Sequence, residues 1–299
     1  MDTSLAKPDF FAGAIHAKVS LRALRNRVLT SICILLSFLT LIPLFSIVYL
    51  VFKNGLPLIS WDLFTKLPPA AGVAGGGFGN AIIGTVIMVG ISLLLAVPLG
   101  ILSAIYINEY APASRLSGAV RFVAKMLTGI PSIICGVFAF AVVVMATGKF
   151  AFLSGFSAFA GGVALSVLIL PTILLTAEQA LLGVPKAYRE ASYGLGGTNY
   201  QTIWKIVLPE ALPAIMTGIM LAVARAAGET APVLFTALFS QYWIKSIMQP
   251  TASLSVLIFN FSTLPYKHQV QMAWAASLVL VVLVTFTNVL AQIVFRKKN

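Results

Sequence analysis

Long apolar stretches alternate with short polar segments along the 299-residue chain. A helix needs roughly 20 apolar residues to cross about 30 Å of hydrocarbon, and the stretches are close to that length. Their residues do not alternate in the way that a membrane β-barrel requires. The pattern therefore predicts six membrane-spanning helices, at Val28–Phe52, Ala81–Ile107, Ile130–Thr147, Phe156–Ala177, Leu212–Leu238 and Met272–Phe295.

The composition supports a membrane protein and argues against a soluble enzyme. Hydrophobic residues make up 59% of the chain and charged residues only 9%, against about 45–50% and about 25% in soluble domains. The net charge of +12 would suggest nucleic acid in a soluble protein. In so apolar a chain, it is explained more simply by anionic lipid and by the enrichment of Lys and Arg in cytoplasmic loops.

The distribution of basic residues predicts the orientation in the membrane. One set of loops and both terminal segments carry fourteen Lys and Arg residues, whereas the opposite loops carry five. Because Lys and Arg accumulate on the cytoplasmic side, both termini are expected there. The predicted fold class is an all-α membrane protein with six transmembrane helices.

The spans also define the predicted organisation of the chain. The outer loop contains the glycine-rich run Gly72–Gly79, which lacks the Lys-Ser/Thr ending of a phosphate-binding loop and is predicted to be flexible. No nucleotide site of the chain's own is expected. The predicted segments are a cytoplasmic segment at 1–27, a first helix at 28–52, an outer loop at 53–80, a five-helix core domain at 81–295 that includes a cytoplasmic loop at 185–209, and a cytoplasmic tail at 296–299.

Residues suited to catalysis or metal binding are scarce. Cys33 and Cys135 lie in apolar stretches, and His16 and His268 lie in separate polar segments. This dispersal indicates neither a disulfide framework nor a zinc site. The spans contain no Ser/His, Asp/Asp or His/Glu constellation of an intramembrane enzyme. We therefore expect a non-catalytic chain without a metal or cofactor of its own.

The cytoplasmic loop at 185–209 has the pattern of two short helices. A first helix is expected from Lys186 to Leu195, followed by a break at Gly196-Gly197. Thr198 and Gln201 fit a capping box, so a second helix is expected to start at Asn199. Pro209 is expected to end it. Such a unit beside a membrane helix is suited to passing motion from a soluble partner into the membrane.

This loop resembles the EAA loop of ABC importer permeases, in which Glu-Ala-Ala, Gly and Ile-x-Leu-Pro occur at fixed spacing. Ser192 replaces the second Ala, and Ser is small enough to keep the match. In that family the loop docks on the ATPase subunit. The resemblance therefore implies ATPase coupling by Glu190, Ala191, Gly196, Ile206, Leu208 and Pro209.

The fifth predicted span contains an unusual pair of charges. Arg225 lies about 20 Å along this helix, near the middle of the membrane, and Glu229 follows four residues later on the same face. The pair forms either a structural ion pair that locks helix packing or a path for an anion, which a guanidinium binds well. Glu109 and Glu178 are interpreted as solvated helix ends, and the alternative for Glu109 is a contact with the EAA loop or with the gate.

The sequence around this pair resembles the permease subunits of phosphate-specific ABC importers. The similar stretches are Ile107–Ala111, Gly129–Ile133 and the run from Ala224 to Ala237 that contains Gly228-Glu229-Thr230-Ala231-Pro232. The resemblance implies the fold of a type I ABC importer permease. It also implies a role in phosphate passage for Arg225 and Glu229, and we add Thr230 to the candidate pathway.

The same resemblance implies the remaining parts of a phosphate importer in a bacterial inner membrane. The expected partners are a PstC-like permease subunit, two PstB-like ATPases that bind ATP and Mg²⁺, and a PstS-like extracytoplasmic phosphate-binding protein. The EAA loop would fit an ABC permease for sulfate or molybdate equally well. A self-contained secondary transporter is the third hypothesis, and it leaves the EAA spacing unexplained.

Overall fold

The computed structural model describes residues 21–145 and 155–295, and these residues form helices without β-strands. The chain divides at Leu50–Val51 into two compact units. Most of α1 (Leu21–Gly55) lies in the first unit. The second contains α2 (Trp61–Thr65), α3 (Gly79–Ile105), α4 (Arg115–Thr128), α5 (Ser132–Ala139), α6 (Ala158–Leu182), α7 (Lys186–Gly194), α8 (Asn199–Thr202), α9 (Leu208–Gly228), α10 (Ala231–Thr236), α11 (Leu254–Ser262) and α12 (Lys267–Phe295).

Some predicted segments fall outside the part of the chain that the structure describes. These are residues 1–20 of the predicted N-terminal segment, the end of the third predicted helix at Thr147, and the tail at 296–299. Within the described residues, five helical runs are long and apolar enough to cross a membrane. A sixth candidate consists of α4 and α5 together with the π-helical turn Phe140–Val144, and its two halves meet at an angle of 108°.

The bend between α4 and α5 is the main difference from the third predicted helix. Helix α4 ends at Thr128, and α5 begins at Ser132. Pro131 lies between them in an extended conformation and has no N–H to continue the ladder of α4. The apolar pattern from Ile130 onward therefore marks only the second half of a bent pair.

The core of the second unit is built around α3, α6 and α9. Small residues allow these helices to approach closely, as expected for packing within a membrane. A Cβ atom added to Gly100 of α3 would lie 2.8 Å from Cγ2 of Ile173 on α6, and one added to Gly218 of α9 would overlap Thr176 of α6. Large buried side chains such as Leu165 fill the remaining space.

A second apolar cluster joins the 53–80 segment to α11 and α12. Phe78 is fully buried there with Leu254 and Leu257. The side-chain amide of Asn80, at the start of α3, donates to the backbone carbonyl of Ser240 at 2.9 Å. The end of the glycine-rich run is therefore packed into the protein, which differs from the flexible loop that its composition predicts.

Candidate functional site

The fifth predicted helix is interrupted at its most polar point. Helix α9 ends at Gly228, and Glu229 adopts an extended conformation with φ −72° and ψ 131°. Helix α10 then begins at Ala231. Pro232 has no N–H to donate to the carbonyl four residues earlier, so the ladder stops there. The prediction of one continuous helix from Leu212 to Leu238 is therefore wrong.

Arg225 and Glu229 form a loose ion pair beside this interruption. Nε of Arg225 lies 3.6 Å from Oε1 of Glu229, and the two side chains are 35% and 20% exposed. That distance is too long for a hydrogen bond. The carboxylate therefore leaves the N–H donors of this guanidinium available to another anion, which they can bind through charge-assisted hydrogen bonds.

The helix around Arg225 also differs from the predicted continuous span. The helical run that carries it begins at Asn199 and ends at Gly228. Arg225 consequently lies in the last turn of the run, just before the interruption, while its depth in the membrane stays a prediction. A cation in the last turn interacts favourably with the partial negative charge of a helix C-terminus. The helix end thus helps to hold the guanidinium in place.

Two further elements surround the interruption. Ser255 of α11 donates its hydroxyl to the carbonyl of Glu229 at 2.8 Å. Gly136 of α5 packs against α10 so closely that an added Cβ would lie 2.7 Å from Cα of Pro232. Cys135, next to Gly136 in α5, is buried. Sequence reasoning missed these contacts because no local pattern connects residues so distant in the chain.

Thr230, the third candidate pathway residue, occupies the turn between the two helices. Its carbonyl accepts a hydrogen bond from the N–H of Leu234 at 2.9 Å, which starts the α10 ladder. Its side chain is half-buried. The three candidate pathway residues thus lie together at one helix interruption.

The EAA loop, residues 185–209, contains the two short helices that the sequence predicts. Helix α7 ends at Gly194 and α8 begins at Asn199. The predicted capping box is confirmed: the N–H of Gln201 bonds to the Thr198 hydroxyl, and the N–H of Thr198 bonds to the Gln201 side chain. Gly196 has φ +81°, a left-handed conformation that glycine adopts without strain.

Ser192, the departure from the usual EAA pattern, joins the two helices of the loop. Its hydroxyl lies 2.7 Å from the hydroxyl of Thr202, and both residues are buried.

The six candidate residues for ATPase coupling differ in how exposed they are. Four of the six are exposed and therefore accessible to a partner, namely Glu190, Ala191, Gly196 and Pro209. The other two, Ile206 and Leu208, are half-buried.

The EAA loop and the Arg225 site are connected by one helical run. We predicted that Pro209 ends the second loop helix, and this is wrong. The N–H of Leu208 donates to the carbonyl of Ile203 in a π-helical turn at Ile203–Val207, and Pro209 then occupies the first turn of α9, where its missing N–H is tolerated. Pro209 and Arg225 are about 24 Å apart along this run at 1.5 Å per residue.

Two buried ion pairs correct a further prediction. Glu109 and Glu178 are not solvated helix ends, because their side chains are only 8% and 6% exposed. Glu109 pairs with Arg189 of α7, so the alternative contact with the EAA loop is confirmed, and Glu178 pairs with Arg121 of α4. The signal available in the sequence was an acidic residue at the end of each apolar stretch, since a carboxylate there needs a partner.

Among residues 21–145 and 155–295, no group of three or more His, Cys, Asp or Glu side chains is arranged to hold a metal ion. The candidate site consists of two regions: the interruption at 225–230, and the EAA loop with the Glu109–Arg189 ion pair. The first presents a guanidinium that can receive an anion. The second presents two short helices, α7 and α8, of which α8 begins the helical run that carries Arg225.

Comparison with known proteins gives the family. Residues 96–299 match the family model described as "Binding-protein-dependent transport system inner membrane component". The phosphate transport system permease protein PstA of Yersinia pestis is 38% identical over 286 residues, which cover 94% of each chain. PstA of Xylella fastidiosa (strain 9a5c) is 40% identical over 240 residues, which cover 80% of this chain and 82% of that protein.

A solved structure agrees at the level of the fold. A chain in the crystal structure of a bacterial alginate ABC transporter, in complex with an alginate pentasaccharide-bound periplasmic protein, superposes with a TM-score of 0.63 at 20% identity. The match covers 92% of this chain and 96% of that chain. The fold is thus that of a type I ABC importer permease, as the EAA resemblance implied. Together with the sequence matches, this shows that the chain is a multi-pass inner-membrane component of ABC importers and belongs to the PstA family of phosphate transport system permease proteins.

Proposed function

We propose that this chain is one of two permease subunits of an ATP-driven importer of inorganic phosphate. Membership of the PstA family supports the substrate. The observation that carries the proposal is the loose Arg225–Glu229 pair at the interruption between α9 and α10, on the same helical run as the EAA loop. Sulfate and molybdate permeases would share the loop, and the names of the relatives favour phosphate over them.

In this proposal Arg225 receives phosphate on its way through the membrane. A guanidinium binds a tetrahedral oxyanion through two parallel charge-assisted hydrogen bonds. Glu229 holds the guanidinium while no anion is present and releases it when phosphate arrives, since the pair is long and partly exposed. Thr230 follows Glu229 in the turn between α9 and α10, where its hydroxyl is suited to hydrogen-bonding a phosphate oxygen.

The EAA loop would pass the motion of the ATPases to this site. The exposed Glu190, Ala191 and Gly196 would contact the ATPase. The run from Asn199 to Gly228 is helical throughout, so a displacement of α8 moves Arg225 without passing through a flexible connection. ATP binding by the partner subunits would thereby open the phosphate path.

The proposed assembly contains a PstC-like permease subunit, two PstB-like ATPases and a PstS-like extracytoplasmic phosphate-binding protein. ATP and Mg²⁺ would be bound by the ATPases, and this chain would catalyse no reaction itself. Both termini would face the cytoplasm, as the excess of Lys and Arg in the corresponding segments favours.

Uptake of radiolabelled phosphate at limiting concentration tests the proposal, in cells that lack this gene and in cells that carry it again. Uptake restored by the gene and unaffected by excess sulfate is the expected result. If the gene restores no phosphate uptake, or if sulfate competes fully, another anion is the substrate and the phosphate assignment is wrong.

A further inference from the structure

The ion pair between Glu109 and Arg189 joins the EAA loop to the end of α3. Helix α3 continues through a π-helical turn, Tyr106–Tyr110, which contains Glu109. Nη2 of Arg189 donates to Oε1 of Glu109 at 2.6 Å, and Nε donates to Oε2 at 3.1 Å. The guanidinium thus binds both carboxylate oxygens, a geometry that fixes orientation as well as distance.

The same arginine also binds the end of α6. Its Nη1 donates to the carbonyl of Val184 at 2.9 Å, and its Nη2 donates to the carbonyl of Leu181 at 3.0 Å. These carbonyls lie at the C-terminus of α6, where a cation is favourable. Arg189 therefore connects α7 to two core helices at once, and it immediately precedes Glu190 of the EAA motif.

This pair differs from the Arg225–Glu229 pair in ways that matter for motion. The side chains of Glu109 and Arg189 are only 8% and 17% exposed, whereas the other pair is longer and more accessible. Separating two buried partners leaves uncompensated charges out of water, which is strongly unfavourable. The end of α3 is therefore expected to follow α7 when the EAA loop moves, rather than to separate from it.

The end of α3 is also held from its other side. Arg121 of α4 donates to the carbonyl of Ile107 at 2.8 Å and pairs with Glu178 of α6. Within the described part of the chain, Arg121 binds Ile107, Pro112 and Glu178, none of which lies in the EAA loop. This second pair therefore provides a control of the same chemistry.

We propose that Glu109 and Arg189 form the mechanical link that carries displacement of the EAA loop into α3 and α6. Both act as positioning residues, and they set how much anion is transported for each ATP hydrolysed. The α9 run alone would move one helix, whereas this link moves the core helices that pack against it. The inference rests on the proposed role of the EAA loop, but it does not depend on which anion is carried.

The test uses the complete importer reconstituted in lipid vesicles, with phosphate taken up and ATP hydrolysed measured in the same sample. Glu109→Gln removes the charge and keeps the shape, while Arg189→Lys keeps the charge and loses the forked donors. Each variant is expected to lower the phosphate-to-ATP ratio about 2- to 30-fold, the range that coupling residues produce. Combining them should lower the ratio little further, because each change breaks the same link.

Glu178→Gln is the matched control, and it should leave the phosphate-to-ATP ratio of assembled complexes within about twofold of wild type. Three results would overturn the inference: a wild-type ratio in both variants, an equal fall in the control, or failure of both variants to assemble with the ATPase, which would assign the pair a folding role. If the wild-type importer carries sulfate and not phosphate, the proposed substrate fails, and the link is tested in the same way with sulfate.

Discussion

Replacement of Gly136 by alanine should lower phosphate uptake by displacing α5 from the interruption at Glu229. The added Cβ would lie 2.7 Å from Cα of Pro232 and 3.3 Å from its carbonyl oxygen, where ordinary contacts begin at 3.4 Å. The first contact is with the backbone, so no flexible side chain can move aside. Helix α5 or α10 must therefore shift by about 0.7 Å to relieve the overlap.

The energetic consequence follows from two opposing terms. Overpacking typically costs about 1–3 kcal/mol, and replacing Gly by Ala inside a helix returns about 0.5–1 kcal/mol. The protein should therefore still fold, with a net cost of up to about 2.5 kcal/mol. A misplacement near 1 Å in a binding site can reduce function about 100-fold, so uptake should fall about 10- to 100-fold.

The measurement is initial-rate uptake of radiolabelled phosphate, normalised to the amount of assembled complex in the membrane. Gly118→Ala in α4 is the matched control, because an added Cβ there meets no atom within 4 Å, and its uptake should equal wild type. Normal uptake by Gly136→Ala, at normal complex levels, would refute the idea that contact between α5 and α10 positions the anion site.

Other substitutions test the remaining parts of the account. Arg225→Ala should lower phosphate uptake about 10- to 150-fold, as loss of a charged hydrogen-bonding contact predicts, while complex assembly persists; disassembly on a native gel would make the pair with Glu229 purely structural. Glu190→Lys and Gly196→Asp should each uncouple ATP hydrolysis from uptake while the protein still inserts, and normal uptake by both would remove the EAA loop from coupling. Ser192→Ala should leave uptake within about fivefold, since one hydrogen bond of about 1 kcal/mol is lost; a larger fall would give that hydroxyl a role beyond joining the two loop helices.

Features encoded locally in the sequence were predictable. Hydrophobic stretches of spanning length indicated the membrane helices, and the Thr198–Gln201 spacing indicated a capping box that the structure contains. The sequence also identified Arg225 and Glu229 as candidate site residues, because charges in an apolar helix are unfavourable without a function or a partner. Each of these signals depends on residues within a few positions of one another.

Features that depend on distant contacts were not predictable in the same way. Hydropathy could not show that the apolar run from Leu212 to Leu238 is interrupted, because apolar residues continue on both sides of Pro232. Nor could it pair Glu109 with Arg189, which lie 80 residues apart in the chain. Burial of these carboxylates is decided by packing of α3, α6 and α7, and so a solvated helix end was the wrong prediction.

The most direct test of the central claim is ATP-driven transport by purified components in vesicles. The complex of this chain with its partner permease, ATPases and loaded binding protein should move radiolabelled phosphate across the bilayer, and Arg225→Ala should reduce that flux while ATP is still hydrolysed. Transport of phosphate by Arg225→Ala at the wild-type rate would contradict the account, because the proposed path leads past that guanidinium.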